Sequence, residues 1–219
     1  MLLLPYHVDV PMSRWPVTNF LLIVATVGLF AAIRAGSVPP EAIEPYILGL
    51  RGANGIYGHI FLHFGYLLLF GNMMFLWVFG NAVCAKIGNL AYFIVYLMLG
   101  CVAGITHLFI SGDPAIGASG AVNGIVGMYL VLYPLNNVSC FYWFIIRIGS
   151  FCVSSVWMIL YWAAFDVYGA IRGGGHVAYW AHLGGFAAGF LLATLLLYSG
   201  LVQMTSTERS LLDVLRDTP

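Results

Sequence analysis

The sequence predicts an all-α membrane protein, a six-transmembrane-helix bundle with a long first loop. Three observations predict it. Only 7% of the 219 residues are charged, against roughly 25% in a soluble domain. Apolar residues make up 62% of the chain and the mean hydropathy is +0.95, so too few polar groups are present to cover a water-facing surface. The apolar residues also fall into roughly six runs, each close to the ~20 residues that cross a hydrocarbon core.

In order, the first span is expected from Val17 to Ile33, behind a polar, Pro-containing segment from Met1 to Pro16. That placement, and Arg34 beyond it, argue for a span rather than a secretory signal peptide. The long loop runs from Ala35 to Gly58 and holds Pro39, Pro40, Glu41, Glu44 and Arg51. A second span begins near His63 and ends near Val83, closed by Ala85-Lys86. The third extends from Leu90 to Ile110 and stops at the turn signal Ser111-Gly112-Asp113-Pro114. The fourth opens at Ser119 and ends before Pro134-Leu135-Asn136-Asn137, which makes it short. The fifth is expected between Arg147 and Phe165, closing with Asp166. A Gly-rich loop, Gly169 to Gly175, then leads to the sixth, from Val177 to Leu201. Residues 1–202 thus form one membrane domain and 203–219 a polar tail.

Eight basic and eight acidic residues balance to zero net charge, so nothing points to nucleic acid as a partner. The four cysteines, Cys84, Cys101, Cys140 and Cys152, have neither CxxC nor Cys/His metal spacing and read as buried small apolar residues. No internal repeat of the kind seen in inverted-repeat transporters is evident. The bias of Lys and Arg places Arg14, Lys86, Arg147, Arg209 and Arg216 on the cytoplasmic side together with the N-terminus, and Arg34, Arg51 and Arg172 opposite.

That topology starts the fourth and sixth spans on one face of the membrane. Ser119 opens the fourth, within Gly117-Ala118-Ser119-Gly120-Ala121, and His182 lies just inside the sixth, within Ala181-His182-Leu183-Gly184-Gly185. Both side chains are therefore expected at a similar shallow depth, within reach of water. Gly120 and Gly124 on one helix, and Ala181, Gly185 and Gly189 on the other, provide the small-residue ladders that let helices approach in lipid. Each feature has a plainer alternative. Ser119 suits a helix N-cap, His182 suits an interhelical hydrogen bond, and the glycines suit packing in any bundle.

Taken together these residues resemble the rhomboid family of intramembrane serine proteases. Gly117-Ala118-Ser119-Gly120 is similar to its GxSG nucleophile motif, and Ala181-His182 with Gly185 and Gly189 to its AHxxGxxxG motif. The resemblance implies a Ser119–His182 dyad with no carboxylate, so Asp113 and Asp166 at the outer rim receive no role. It also implies an oxyanion held by the Ser119 N–H and by Asn72, transmembrane proteins as substrates, the lipid bilayer as surroundings and no metal or other cofactor. The setting it implies is a bacterial-type inner membrane.

Three departures stand out. Leu68 occupies the position of the family's oxyanion His, Asn123 replaces a residue that is often aromatic, and the first loop lacks the family's Trp-Arg pair, with only Arg51 near. His63 reads as structural and His59 as interfacial. Asn123, four residues after Ser119 on the same helix face, reads either as a polar residue facing a cavity or another helix, or as a hydrogen-bond partner that orients His182. The rival readings are an inactive rhomboid-like protein that binds transmembrane clients, favoured by Leu68, and a small transporter. The second would need a polar path, for which the first and third spans offer little beyond Thr18, Asn19, Thr26, Thr106 and His107.

Overall fold

Backbone polar groups in hydrocarbon must find partners within the protein, and most of this chain satisfies them by helix. The computed structural model describes residues 2–49, 52–144, 147–173 and 177–217. Strand β1 (Leu2–Val8) precedes helix α1 (Val17–Arg34). The first loop carries α2 (Pro40–Ile43), a 3-10 turn, α3 (Asn54–Gly58) and a second 3-10 turn, His59–Phe61. Next, α4 (Tyr66–Phe75) passes through a π-helical stretch, Leu76–Gly80, into α5 (Asn81–Ile87). Gly88, at φ +89°, supplies the left-handed turn into α6 (Asn89–Ile110). Helix α7 (Ser119–Leu132) follows, then strands β2 (Asn137–Phe144) and β3 (Arg147–Ser154), then α8 (Ser155–Arg172), α9 (Tyr179–Tyr198) and α10 (Leu211–Asp217).

Among the described residues, four helical stretches are long and apolar enough to cross a membrane: Val17–Arg34, Tyr66–Ile87, Asn89–Ile110 and Tyr179–Tyr198. The expected fourth span is the 14-residue α7, short as the sequence predicts. The expected fifth is divided. Its first part, from Arg147, is a strand, and the helix begins only at Ser155 and continues through Gly169, which the sequence assigns to a loop. Hydropathy cannot separate an apolar strand from an apolar helix. Here β2 pairs with both β1 and β3 in an antiparallel sheet of order β1-β2-β3. Val138 and Cys140 of β2 are buried opposite Val153 and Phe151. The protein is thus mostly helical, with a small sheet, rather than all-α. Cys152, expected to be buried, is exposed, whereas Cys84 and Cys140 are buried.

Some of the polar residues inside the bundle join helices. Asn19 of α1 donates to Leu76 O at 2.8 Å and to Asn81 Oδ1 at 2.7 Å, and accepts from the Tyr92 hydroxyl at 2.7 Å. One amide thereby connects α1, the π-helical stretch, α5 and α6. The C-terminal segment is tied to the bundle through Glu208, which pairs with Lys86 of α5 and accepts from the Tyr133 hydroxyl at 3.3 Å. Burial opposes ionisation of Glu208, but the Lys86 ammonium and hydrogen bonds from Thr205 outweigh it and hold its carboxyl below the ordinary glutamate value.

Removing one partner of such a buried pair costs about 3–5 kcal/mol. Lys86→Met is expected to release residues 203–217 from the bundle, seen as faster limited proteolysis of the tail at neutral pH. Because the folded Glu208 value is depressed, the wild-type advantage is complete above the ordinary glutamate range. It disappears as pH falls through the lower folded value.

Candidate active site

Helix α7 is enclosed almost completely. Every one of its residues is buried except Ser119 and Asn123. These two stand one turn apart, so the helix has a single opening, at its N-terminal end. The turn that delivers Ser119 depends on Gly117, at φ +134°, whose N–H donates to His59 O at 2.9 Å. Ser119 is the first helical residue, and no side chain caps α7. The N-cap alternative is therefore not realised, and the hydroxyl is not engaged in holding the helix end.

The two glycine ladders meet. A Cβ built on Gly185 would lie 2.0 Å from Gly120 O, and one on Gly189 would lie 1.8 Å from Gly124 O. Neither position accepts any other residue without parting the backbones. Gly120 itself faces Ala103 and Ala181. Ser119 and His182 each adjoin a residue of this contact, Gly120 and Ala181.

His182 has a partner that the sequence reading left without a role. Its Nδ1 lies 2.9 Å from Asp166 Oδ1 on α8, and the two side chains are only 14% and 16% exposed. Gly169, one turn after Asp166, makes the approach possible. A Cβ there would stand 2.3 Å from the Tyr179 ring, so that ring fills a notch in α8. Tyr179 also packs edge-on against His182, with centroids 6.2 Å apart. Of the two readings of Asn123, the one that orients the imidazole is not realised. Its amide donates to Ser119 O at 3.0 Å, back along its own helix, and the recorded partner of the imidazole is Asp166.

On the other side of Ser119, Asn72 of α4 is buried and its Nδ2 lies 3.0 Å from His63 Nε2. The Ala118 N–H points at the same nitrogen from 3.5 Å. Two donors converging on Nε2 assign it as the acceptor, which puts the ring proton on Nδ1. His63 thus ties α4 to the turn before Ser119, a link that the nine-residue spacing to Asn72 did not advertise. Gly65, fully extended at φ −157° and ψ 168°, turns the chain so that His63 can fold back. An amide carries two hydrogens, so Asn72 retains one for a ligand. Leu68 brings a methyl group to within 3.5 Å of the Cβ position of Gly117, and the Ser119 hydroxyl is 3.8 Å from that same point. His59 is buried rather than interfacial. Its ring packs against Gly104, and its Nδ1 bonds Gly55 O at 2.8 Å. Arg51 lies outside the described residues. Among those described, no three His, Cys, Asp or Glu side chains gather as metal ligands do.

The Rhomboid domain model matches residues 51–199, more than half of the chain. The chain belongs to the rhomboid family. Among its relatives, Rhomboid protease GlpG of Klebsiella pneumoniae is 30% identical over 138 residues, which cover 63% of this chain and 46% of that protein. Rhomboid protein 1, mitochondrial, of Saccharomyces cerevisiae is 29% identical over 151 residues, covering 62% of this chain and 40% of that protein. The chain therefore spans less than half the length of either. The rhomboid match contains Asn72, Ser119, Asp166 and His182. It leaves out β1, α1 and the tail, so the β1–β2 pairing and the Lys86–Glu208 pair join the matched region to chain beyond it.

In this rhomboid core the α7–α9 contact predicts a steep steric response. Gly189→Val should lower the thermal midpoint sharply, by more than the about 1–3 kcal/mol of ordinary overpacking, because the clash is with backbone. Gly71→Ala, where an added Cβ meets nothing within 4 Å, should leave it nearly unchanged.

Proposed function

We propose that the protein is an intramembrane serine endopeptidase that hydrolyses peptide bonds in or beside transmembrane segments, with Ser119 as nucleophile and His182 as base. The observation that carries this reading is the single opening on α7, where Ser119 adjoins the glycine contact with α9, the helix that bears His182. The proteases named among its relatives support it. In the proposed reaction the Ser119 oxygen attacks the scissile carbonyl as His182 accepts its proton. The imidazole then returns that proton to the leaving amine. The Ser119 N–H and the remaining hydrogen of Asn72 would stabilise the oxyanion. No cofactor enters this chemistry.

In this reading α1, α4–α5, α6, α7, α8 and α9 are the six membrane helices of residues 1–202. The N-terminus is cytoplasmic, the long first loop and the site face the opposite side, and the bilayer is a bacterial-type inner membrane. Substrates are transmembrane proteins, entering between α8 and α4. Trp157, Tyr161, Trp162 and Phe165 of α8 would form that gate, and the Trp162 ring meets Phe75 with centroids 4.3 Å apart.

One observation favours a second reading, an impaired or inactive relative that binds transmembrane clients. Leu68, which can donate nothing, lies against Gly117, two residues before the serine. The transporter reading finds less support, since Asn19 is engaged in joining helices, Thr106 bonds Val102 O and His107 bonds Asp113 O.

Purified protein in detergent or vesicles should cleave at least one member of a panel of transmembrane substrates and react with a fluorophosphonate probe. Ser119→Ala should abolish both. Leu68→His should raise turnover, since a single oxyanion donor contributes about 2.7–4 kcal/mol. Cleavage by no variant, with no Ser119-dependent labelling, would favour the inactive reading instead.

A further inference from the structure

We infer that Asp166 is a positioning residue for His182, fixing the ring and its tautomer through Nδ1 so that Nε2 is left to face Ser119. The inference rests on the reading of these two residues as base and nucleophile. Three observations carry it. The Nδ1–Oδ1 distance is 2.9 Å, both side chains are largely buried, and the Gly169 notch seats Tyr179 so that α8 and α9 come close enough for the bond. A carboxylate at membrane depth is costly unless it has such a partner.

An ionised carboxylate only accepts, so it selects the imidazole with hydrogen on Nδ1 and the lone pair on Nε2. When the Ser119 oxygen bonds the carbonyl carbon, its proton passes to Nε2 and the carbonyl π pair moves to oxygen. Asp166 then faces a full imidazolium and stabilises it without taking a proton. When the C–N bond breaks, the Nε2 proton leaves with the amine, and the ring returns to its first tautomer.

No other charged group competes for the ring among the described residues. On α8, Arg172 is engaged with the Tyr168 hydroxyl at 3.0 Å. From α6, Thr106 faces Gly184 while His107 bonds Asp113 O. From α7, Asn123 bonds Ser119 O.

The test compares wild type with Asp166→Asn and Asp166→Glu in the full chain, using a cleaved transmembrane substrate and ring-nitrogen NMR of labelled histidine. The spectrum of His182 is assigned with His182→Gln. Asp166→Asn, whose amide can donate to Nδ1, should shift His182 to the other tautomer. It should lower kcat by ~10²–10⁴-fold with KM changed less than about twofold and an unchanged thermal midpoint. Asp166→Glu should recover part of the loss. An unchanged kcat in Asp166→Asn overturns the inference whatever the spectrum shows. If wild type cleaves no substrate and takes up no fluorophosphonate, the protease reading falls by itself. The spectrum then decides for Asp166, with a tautomer shift supporting its positioning role and an unshifted ring overturning it.

Discussion

The contact of α7 with α9 is the constraint on which the rest of this structure depends. Lipid tails are as apolar as leucine, so two helices gain nothing from hiding apolar side chains against each other and must be held by close packing and polar contacts. Here the gain comes from removing side chains altogether, at Gly120 and Gly124 on one helix and Gly185 and Gly189 on the other. The carbonyls of one helix then reach the α-carbons of its neighbour, where weak Cα–H···O contacts add to dispersion. The length of α7 bears on the depth proposed for the site. At 14 residues, α7 is about 21 Å long, against ~30 Å of hydrocarbon. Its first residue can lie below the surface only because other protein surrounds it, and that enclosure confines the helix's exposure to Ser119 and Asn123.

How much of this could be read from the sequence follows from the range of each interaction. Spacings within one helix were legible, because a period of 3.6 residues carries Gly185 and Gly189 to the face that holds the contact, and the end of α6 was legible in its turn residues. The sheet was not. β1 pairs with a strand more than a hundred residues away, and a hydropathy window cannot tell β3 from the start of α8. Gly169 shows the same limit at one residue. Among neighbouring glycines it reads as loop, yet in the fold its missing side chain admits the Tyr179 ring, and the chain stays helical to do so.

The site shows a further kind of illegibility, in which polar residues exchange partners. Asn123 shares a helix face with Ser119, and that spacing alone allows a bond to the imidazole. A short amide on a helix can also donate to the carbonyl one turn back, and that local bond needs no second helix to be positioned. His63 did the reverse. It reads as structural, and in the fold its ring meets the Asn72 amide across the extended residue Gly65 and the first two turns of α4.

These exchanges bear on the reaction proposed for the site, because its two demands fall on different atoms. The oxyanion needs N–H donors, and here the supply is thin. Leu68 offers none, the Ala118 N–H points at His63, and one hydrogen of Asn72 is taken by the same ring. The base needs an acceptor behind it, and Asp166 is in place. A carboxylate behind the imidazole stabilises positive charge on the ring but does nothing for negative charge on the substrate oxygen, so the two cannot substitute for one another atom by atom. They can still offset in the barrier, since both charges develop in the same step. A site of this composition would therefore lean on proton transfer more than on oxyanion binding, and the Asp166–His182 bond matters more to it than Asn72 alone.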